Sequence, residues 1–171
     1  VAASHCSVCH GPGGISTSPT FPRLAGQREE YLESQLKAFK GHTRAEPDAP
    51  DFMWGVAAGL DEEMIKGLAE YYAAQRPAPG TPGDPALVEK GRELFDKGVP
   101  GKGVPACASC HGANAQGNGP FPRLAGQHAA YLEKQLQFIQ NIARKAPVMH
   151  GIVQDLSSED MRAVSTYLQS I

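Results

Sequence analysis

Four cysteines and the histidines that follow them are the residues best placed to do chemistry. Cys6-Ser-Val-Cys9-His10 and Cys107-Ala-Ser-Cys110-His111 give one Cys-x-x-Cys-His spacing twice, and no cysteine is left over. At the start of a helix this spacing sets the two sulfurs on adjacent faces, and the next residue aims its imidazole at a metal. The arrangement suits covalent attachment of a c-type haem: the thiols meet the two vinyl groups on one porphyrin edge, and the histidine ligates iron. Zinc shared by all four cysteines fits less well, because 97 residues separate Cys9 from Cys107, whereas zinc ribbons use roughly 15–20. Thioredoxin-like dithiols would need a βαβ setting, and disulfides within each pair would leave both histidines unexplained.

Iron bound to one imidazole needs a second axial ligand, and a methionine thioether raises its potential. Met53 and Met149 follow His10 and His111 by 43 and 38 residues. Both lie in segments marked by proline (Pro47, Pro50 and Pro147), which read as loops able to carry a sulfur over the open face. Met161 reads as a core residue of a helix and Met64 as an exposed one. His5, His42 and His128 have no counterpart in the other half and read as lone exposed histidines, while His150 aligns with Trp54. A ligating imidazole usually gives its other N–H to a carbonyl. Pro22 and Pro122, 12 and 11 residues beyond the histidines, offer rigid ones. Arg23, Arg123, Gln27 and Gln127 are candidates for hydrogen bonds to haem propionates, with ordinary surface polar residues as the competing reading.

The elements that must position these residues come in two copies. Phe21-Pro-Arg-Leu-Ala-Gly-Gln27 recurs unchanged as Phe121 to Gln127, and Tyr31 to Leu36 matches Tyr131 to Leu136. Met53-x-Gly-Val matches Met149-x-Gly-Ile, Leu60-Asp-Glu-Glu matches Leu156-Ser-Ser-Glu, and Tyr71 matches Tyr167. The chain therefore reads as an internal duplication: domain one over 1–76, a Pro/Gly-rich extended linker over 77–85, and domain two over 86–171. Within each copy apolar spacing predicts a helix from Gln27 to Lys40 and its counterpart. A second helix in each starts at the caps Asp61 and Ser157, with Leu60/Ile65 and Leu156/Met161 as hydrophobic staples. An extra helix, Pro85 to Lys97, precedes the second motif. The first copy has no room for a full equivalent, so either the N-terminus is trimmed, the favoured reading, or the first domain manages without that helix. No alternating strand pattern appears, so the fold class is all-α.

Composition narrows the function. The 171 residues carry 16 Lys plus Arg against 18 Asp plus Glu, for a formal charge of −2. That balance argues against nucleic acid as a partner. No apolar run approaches the roughly 18 residues needed to span a bilayer. Aromatic residues are only 7%, so two domains of this size would have thin cores without a staple or a large prosthetic group. Residues 1–80 hold 7 basic against 10 acidic side chains, and residues 81–171 hold 9 against 8.

Together the two Cys-x-x-Cys-His-Gly motifs, the Pro-Arg-Leu-Ala-Gly-Gln blocks, the Tyr-Leu…Gln-Leu helices and the Met53 and Met149 segments resemble the dihaem class I cytochromes c of the c4 type. The resemblance implies two tandem class I cytochrome c-like haem domains, two haem c groups, and propionate edges that lie close together. It also implies that Gly91 and Phe95 cross the C-terminal helix near Tyr167, and that the Pro22 and Pro122 carbonyls hold the histidines. Its functional implication is a periplasmic electron carrier rather than an enzyme, trimmed after export. Redox proteins would be its partners: a cytochrome bc1-type or dehydrogenase donor and an oxidase acceptor. An electron-accepting subunit of a dehydrogenase, peripheral membrane association, and a monomer or weak dimer all fit the same resemblance. A dihaem peroxidase or sulfur-compound dehydrogenase would need an open axial position or a cysteine or histidine ligand, against which stand two matched methionines and no spare cysteine.

Overall fold

The structure, a computed structural model, describes residues 2–171. Nine α-helices carry the described fold: α1 (Ser7–His10), α2 (Glu29–Lys40), α3 (Trp54–Ala58), α4 (Glu62–Ala73), α5 (Pro85–Lys97), α6 (Ala108–His111), α7 (Ala129–Gln140), α8 (Pro147–Val153) and α9 (Ser158–Ser170). Short π-helical and 3-10 turns accompany them, and the only β structure among the described residues is two isolated bridges, Val99 with Val104 and Asn118 with Phe121. The chain is all-α, and α1 to α4 are repeated as α6 to α9.

Local chemistry explains the long helices. Asp61 accepts from the Met64 N–H and opens α4. Ser157 and Asp160 form a reciprocal capping box on α9, satisfying two N–H groups that the first turn leaves free. Asp84 caps α5, where Pro85 occupies a position that needs no N–H. α2 starts at Glu29 rather than Gln27 because Arg28 is extended (φ −64°, ψ 132°). Its first turn carries Glu29 and Glu30 and its last turn Lys37 and Lys40, complementing the helix dipole.

Two main cores result. Leu32 of α2 packs with Leu60, Ile65, Leu68 and Tyr72 in the N-terminal half, while Phe39, Ala49 and Ala57 form a satellite beside Met53. In the C-terminal half α5 lies across α9. Gly91 permits the crossing, since a Cβ there would overlap the Ala163 carbonyl and press on Tyr167. Phe95 is fully buried and sits 5.7 Å from the Tyr167 ring. The N-terminal half has no described helix over the matching face of α4. Tyr71 is consequently 41% exposed, where Tyr167 is 8% exposed.

Residues 77–84 carry no regular secondary structure, but they are packed rather than free. Thr81 N–H donates to Gln169 O, Ala78 is buried, and Gly83 lies against Thr166. The methionine segments depart from the expected loops. Met53 closes a π-helical turn over Ala49–Met53 that runs into α3, and Met149 lies inside α8. In both, proline stands at a helix start, where its missing N–H costs nothing.

Candidate dihaem site

Each histidine is fixed by the fold before any metal is considered. Cys6 precedes α1, which carries Cys9 and His10; Cys107 precedes α6, which carries Cys110 and His111. His10 Nδ1–H donates to Pro22 O at 2.8 Å, and His111 Nδ1–H donates to Pro122 O at 2.9 Å. Phe21 and Phe121 meet these rings edge-on at 6.2 and 6.3 Å. Burial pushes both imidazoles below their ordinary pKa, against the opposing pull of the carbonyl bonds. Each is therefore neutral, with its Nε2 lone pair uncommitted. His111 Nε2 is buried and has no hydrogen-bond partner. An orphaned ring nitrogen of this kind is what a metal ligand leaves behind when its other nitrogen is held by a carbonyl.

The cysteines are unpaired. Burial pushes the Cys107 thiol up to about 11. Among the described residues no three His, Cys, Asp or Glu side chains gather as a bare metal site.

His10, His111, Met53, Met149 and all four cysteines line one cavity of ≈ 690 Å³ that runs through both domains. Its walls are largely apolar, with Leu32, Leu68, Leu132 and Leu168 among them. Met53 packs beside Phe39 and Ala57, and Met149 against the C-terminal core. His150, next to Met149, does not line this cavity; its Nδ1–H donates to Ile139 O at 3.0 Å. Trp54, its counterpart, donates from Nε1 to Arg44 O and stacks on His42 at 4.0 Å.

Where the two halves of the cavity meet, the structure assembles a polar cluster that sequence reasoning missed. Arg44 donates to Gln35, Tyr131 and Gln135; Arg144 donates to Gln135, Tyr31 and Gln35. Burial alone would raise the Tyr31 pKa, but the charges of Arg144 and Arg44 outweigh it and bring it below the ordinary value. The available signal was register. Arg44 and Arg144 both stand 13 residues beyond the tyrosine of their own copy.

Arg23 and Arg123 line the cavity, and burial lowers the pKa of both. Arg123 Nε is buried without a partner, so one donor is unused on the wall where a carboxylate would be welcome. Arg23 is partly occupied, giving Nη1–H to Gly126 O at 2.6 Å. Gln27 and Gln127 take partners other than those anticipated. Each reaches across the domain boundary to the backbone of the opposite arginine. His128 is buried rather than exposed, and its Nε2–H donates to Ser16 O in the other domain at 3.0 Å.

The residues thus fit a haem in each half: two thiols, a neutral oriented imidazole and a thioether around an apolar slot. Comparison with known proteins agrees. The family model described as cytochrome c matches residues 1–75 and again 88–171. A cytochrome c4 from Azotobacter vinelandii is 40% identical, over 99% of this chain and 85% of its own length. The cytochrome c4 structure from Acidithiobacillus ferrooxidans is 42% identical and superposes with a TM-score of 0.92, over 97% of this chain and 98% of that one. A thiosulfate dehydrogenase electron acceptor from Thiomonas intermedia is 35% identical, over 97% of this chain and 78% of its own length.

Proposed function

The chain belongs to the cytochrome c family, with the paired domains of cytochrome c4, and on that premise we propose that it relays single electrons in the periplasm from a cytochrome bc1-type complex or a dehydrogenase to a terminal oxidase or other acceptor. It is a dihaem electron-transfer cytochrome, a carrier rather than an enzyme. Haem iron between imidazole and thioether supplies a one-electron couple of raised potential.

The rest is done by this chain's own residues. Cys6 and Cys9 would anchor one haem, Cys107 and Cys110 the other. His10 and His111, aimed by Pro22 and Pro122, would hold the two irons together with Met53 and Met149, and such a ligand set would leave no vacancy for substrate. Apolar walls exclude water, which keeps reorganisation small on gain or loss of an electron. The observation that carries this reading is the matched pair of carbonyl-held, neutral histidines facing one continuous cavity that also takes in both methionines. The acidic N-terminal half and slightly basic C-terminal half would orient the molecule toward different donor and acceptor surfaces.

A second reading is favoured by the Thiomonas relative: the same relay serving as the dedicated electron acceptor of a dehydrogenase. Both readings share one test. The oxidised holoprotein should show the weak near-infrared band of methionine sulfur on ferric iron, with intensity for two haems. Met149→Ala should remove half of it while both haems stay attached. High-spin ferric features in the parent protein would overturn the carrier reading, and co-purification with a dehydrogenase would select the second form of it.

A further inference from the structure

The Pro22–Arg23 peptide is held at both ends by different domains. Its carbonyl accepts from His10 Nδ1–H at 2.8 Å. Its N–H, the Arg23 amide, donates to Gln127 Oε1 of the C-terminal domain at 2.9 Å. The Pro122–Arg123 peptide repeats the arrangement: His111 Nδ1–H donates to its carbonyl at 2.9 Å, and its N–H donates to Gln27 Oε1 at 2.7 Å. Each glutamine also gives Nε2–H to the carbonyl of the same arginine, at 2.9 Å in both cases. Both glutamines are buried.

Glutamine supplies a donor and an acceptor on one planar group, so it pairs with both backbone groups of an arginine as a neighbouring strand would. Gly26 and Gly126 make this reach available, with φ of 68° and 73° in the residue just before each glutamine. The amide plane has an electronic consequence. A hydrogen bond accepted from a peptide N–H polarises that peptide and strengthens its carbonyl as an acceptor, since chains of hydrogen bonds reinforce one another. A stronger acceptor draws the histidine proton further and makes the ligating nitrogen a better electron donor to iron.

We propose that Gln27 and Gln127 are positioning residues for electron transfer, each tuning the haem of the opposite domain through the peptide that holds its axial histidine. The inference rests on His10 and His111 being the iron ligands. It gives the domain interface a redox role: loosening the interface on one side alters the ligand field on the other.

The test is a spectroelectrochemical titration of the holoprotein, with each midpoint assigned through the shifted haem methyl resonances. Gln127→Leu removes the acceptor for Arg23 N–H and should raise the midpoint of the N-terminal haem; Gln27→Leu should raise that of the C-terminal haem. Direct outer-shell partners of a metal ligand are worth about 10–100-fold, and one step further out the shift in the oxidation equilibrium should be roughly three- to fivefold. If leucine prevents haem loading, Gln127→Glu and Gln27→Glu retain the acceptor with a charge and should lower the opposite haem's midpoint instead. A shift confined to the substituted domain's own haem, an equal shift of both, or no shift overturns the proposal. A parent protein without two low-spin midpoints would count against the dihaem reading itself, an outcome distinct from two midpoints that ignore the substitution.

Discussion

Glu46 Oε1 accepts from Arg44 Nε at 2.7 Å with both side chains buried, while the matching Arg144 has Ala146 in place of an acid. The pair therefore breaks an otherwise two-fold cluster of arginines, tyrosines and glutamines. Arg144 is oriented by three hydrogen bonds without any carboxylate, so an acid is not needed to aim a guanidinium here. Glu46 Oε2 is buried with no hydrogen-bond partner, seven residues before Met53.

A buried negative charge favours ferric over ferrous iron, so Glu46→Gln should raise the N-terminal midpoint relative to the C-terminal one. Glu46→Ala strips Arg44 of its counter-charge and should lower stability by roughly 3–5 kcal/mol, the usual cost of breaking a buried pair from one side. Potentiometry reads the first effect and denaturant titration the second. A midpoint separation unchanged in Glu46→Gln would show that the carboxylate does not distinguish the two sites.

His128 makes the domain contact sensitive to acid. Burial, and then the positive charge of Arg23, hold its pKa below the ordinary 6.5, although the bond to Ser16 O works the other way. When the chain opens, the ring regains its ordinary pKa and binds a proton more readily than in the folded state. This contribution to stability is complete above about pH 6.5 and is lost as pH falls from there through the folded-state pKa. Acidification from about pH 7.5 to 5.5 should lower the denaturation midpoint of the parent more than that of His128→Gln. Parallel pH profiles for the two proteins would remove His128 from the account.

The duplicated cysteine motif, the helix caps and the proline carbonyls were legible because each depends on spacing within a few residues or one repeat. Asp61 and Ser157 cap helices wherever the chain goes, and Pro22 lies a fixed distance along the chain from His10. The roles of Gln27, Gln127, Arg44 and Arg144 were hidden because their partners lie 87 to 113 residues away, across a docking that no local period encodes. His128 was misread for the same reason, since only the apposed Ser16 segment buries it. The methionine segments were misread because proline ends a helix interior but also begins a new helix, and sequence alone does not separate the two uses in a five-residue stretch.

Two glycines at related places in the duplicated helix packing should respond oppositely to a methyl group. Gly91 of α5 is buried where that helix touches α9, and a Cβ would overlap the Ala163 carbonyl and press on Tyr167. The helices would have to separate. Gly67 of α4 occupies the position of Ala163 in the other half, but it is exposed and a Cβ there would meet nothing within 4 Å. Gly91→Ala should destabilise by about 1–3 kcal/mol, the cost of overpacking. Gly67→Ala should stabilise by about 0.5–1 kcal/mol, because it removes backbone freedom from the unfolded chain at no steric cost. Denaturant unfolding followed by circular dichroism compares the two directly. Destabilisation by Gly67→Ala would mean that the uncovered face of α4 is covered in the working protein.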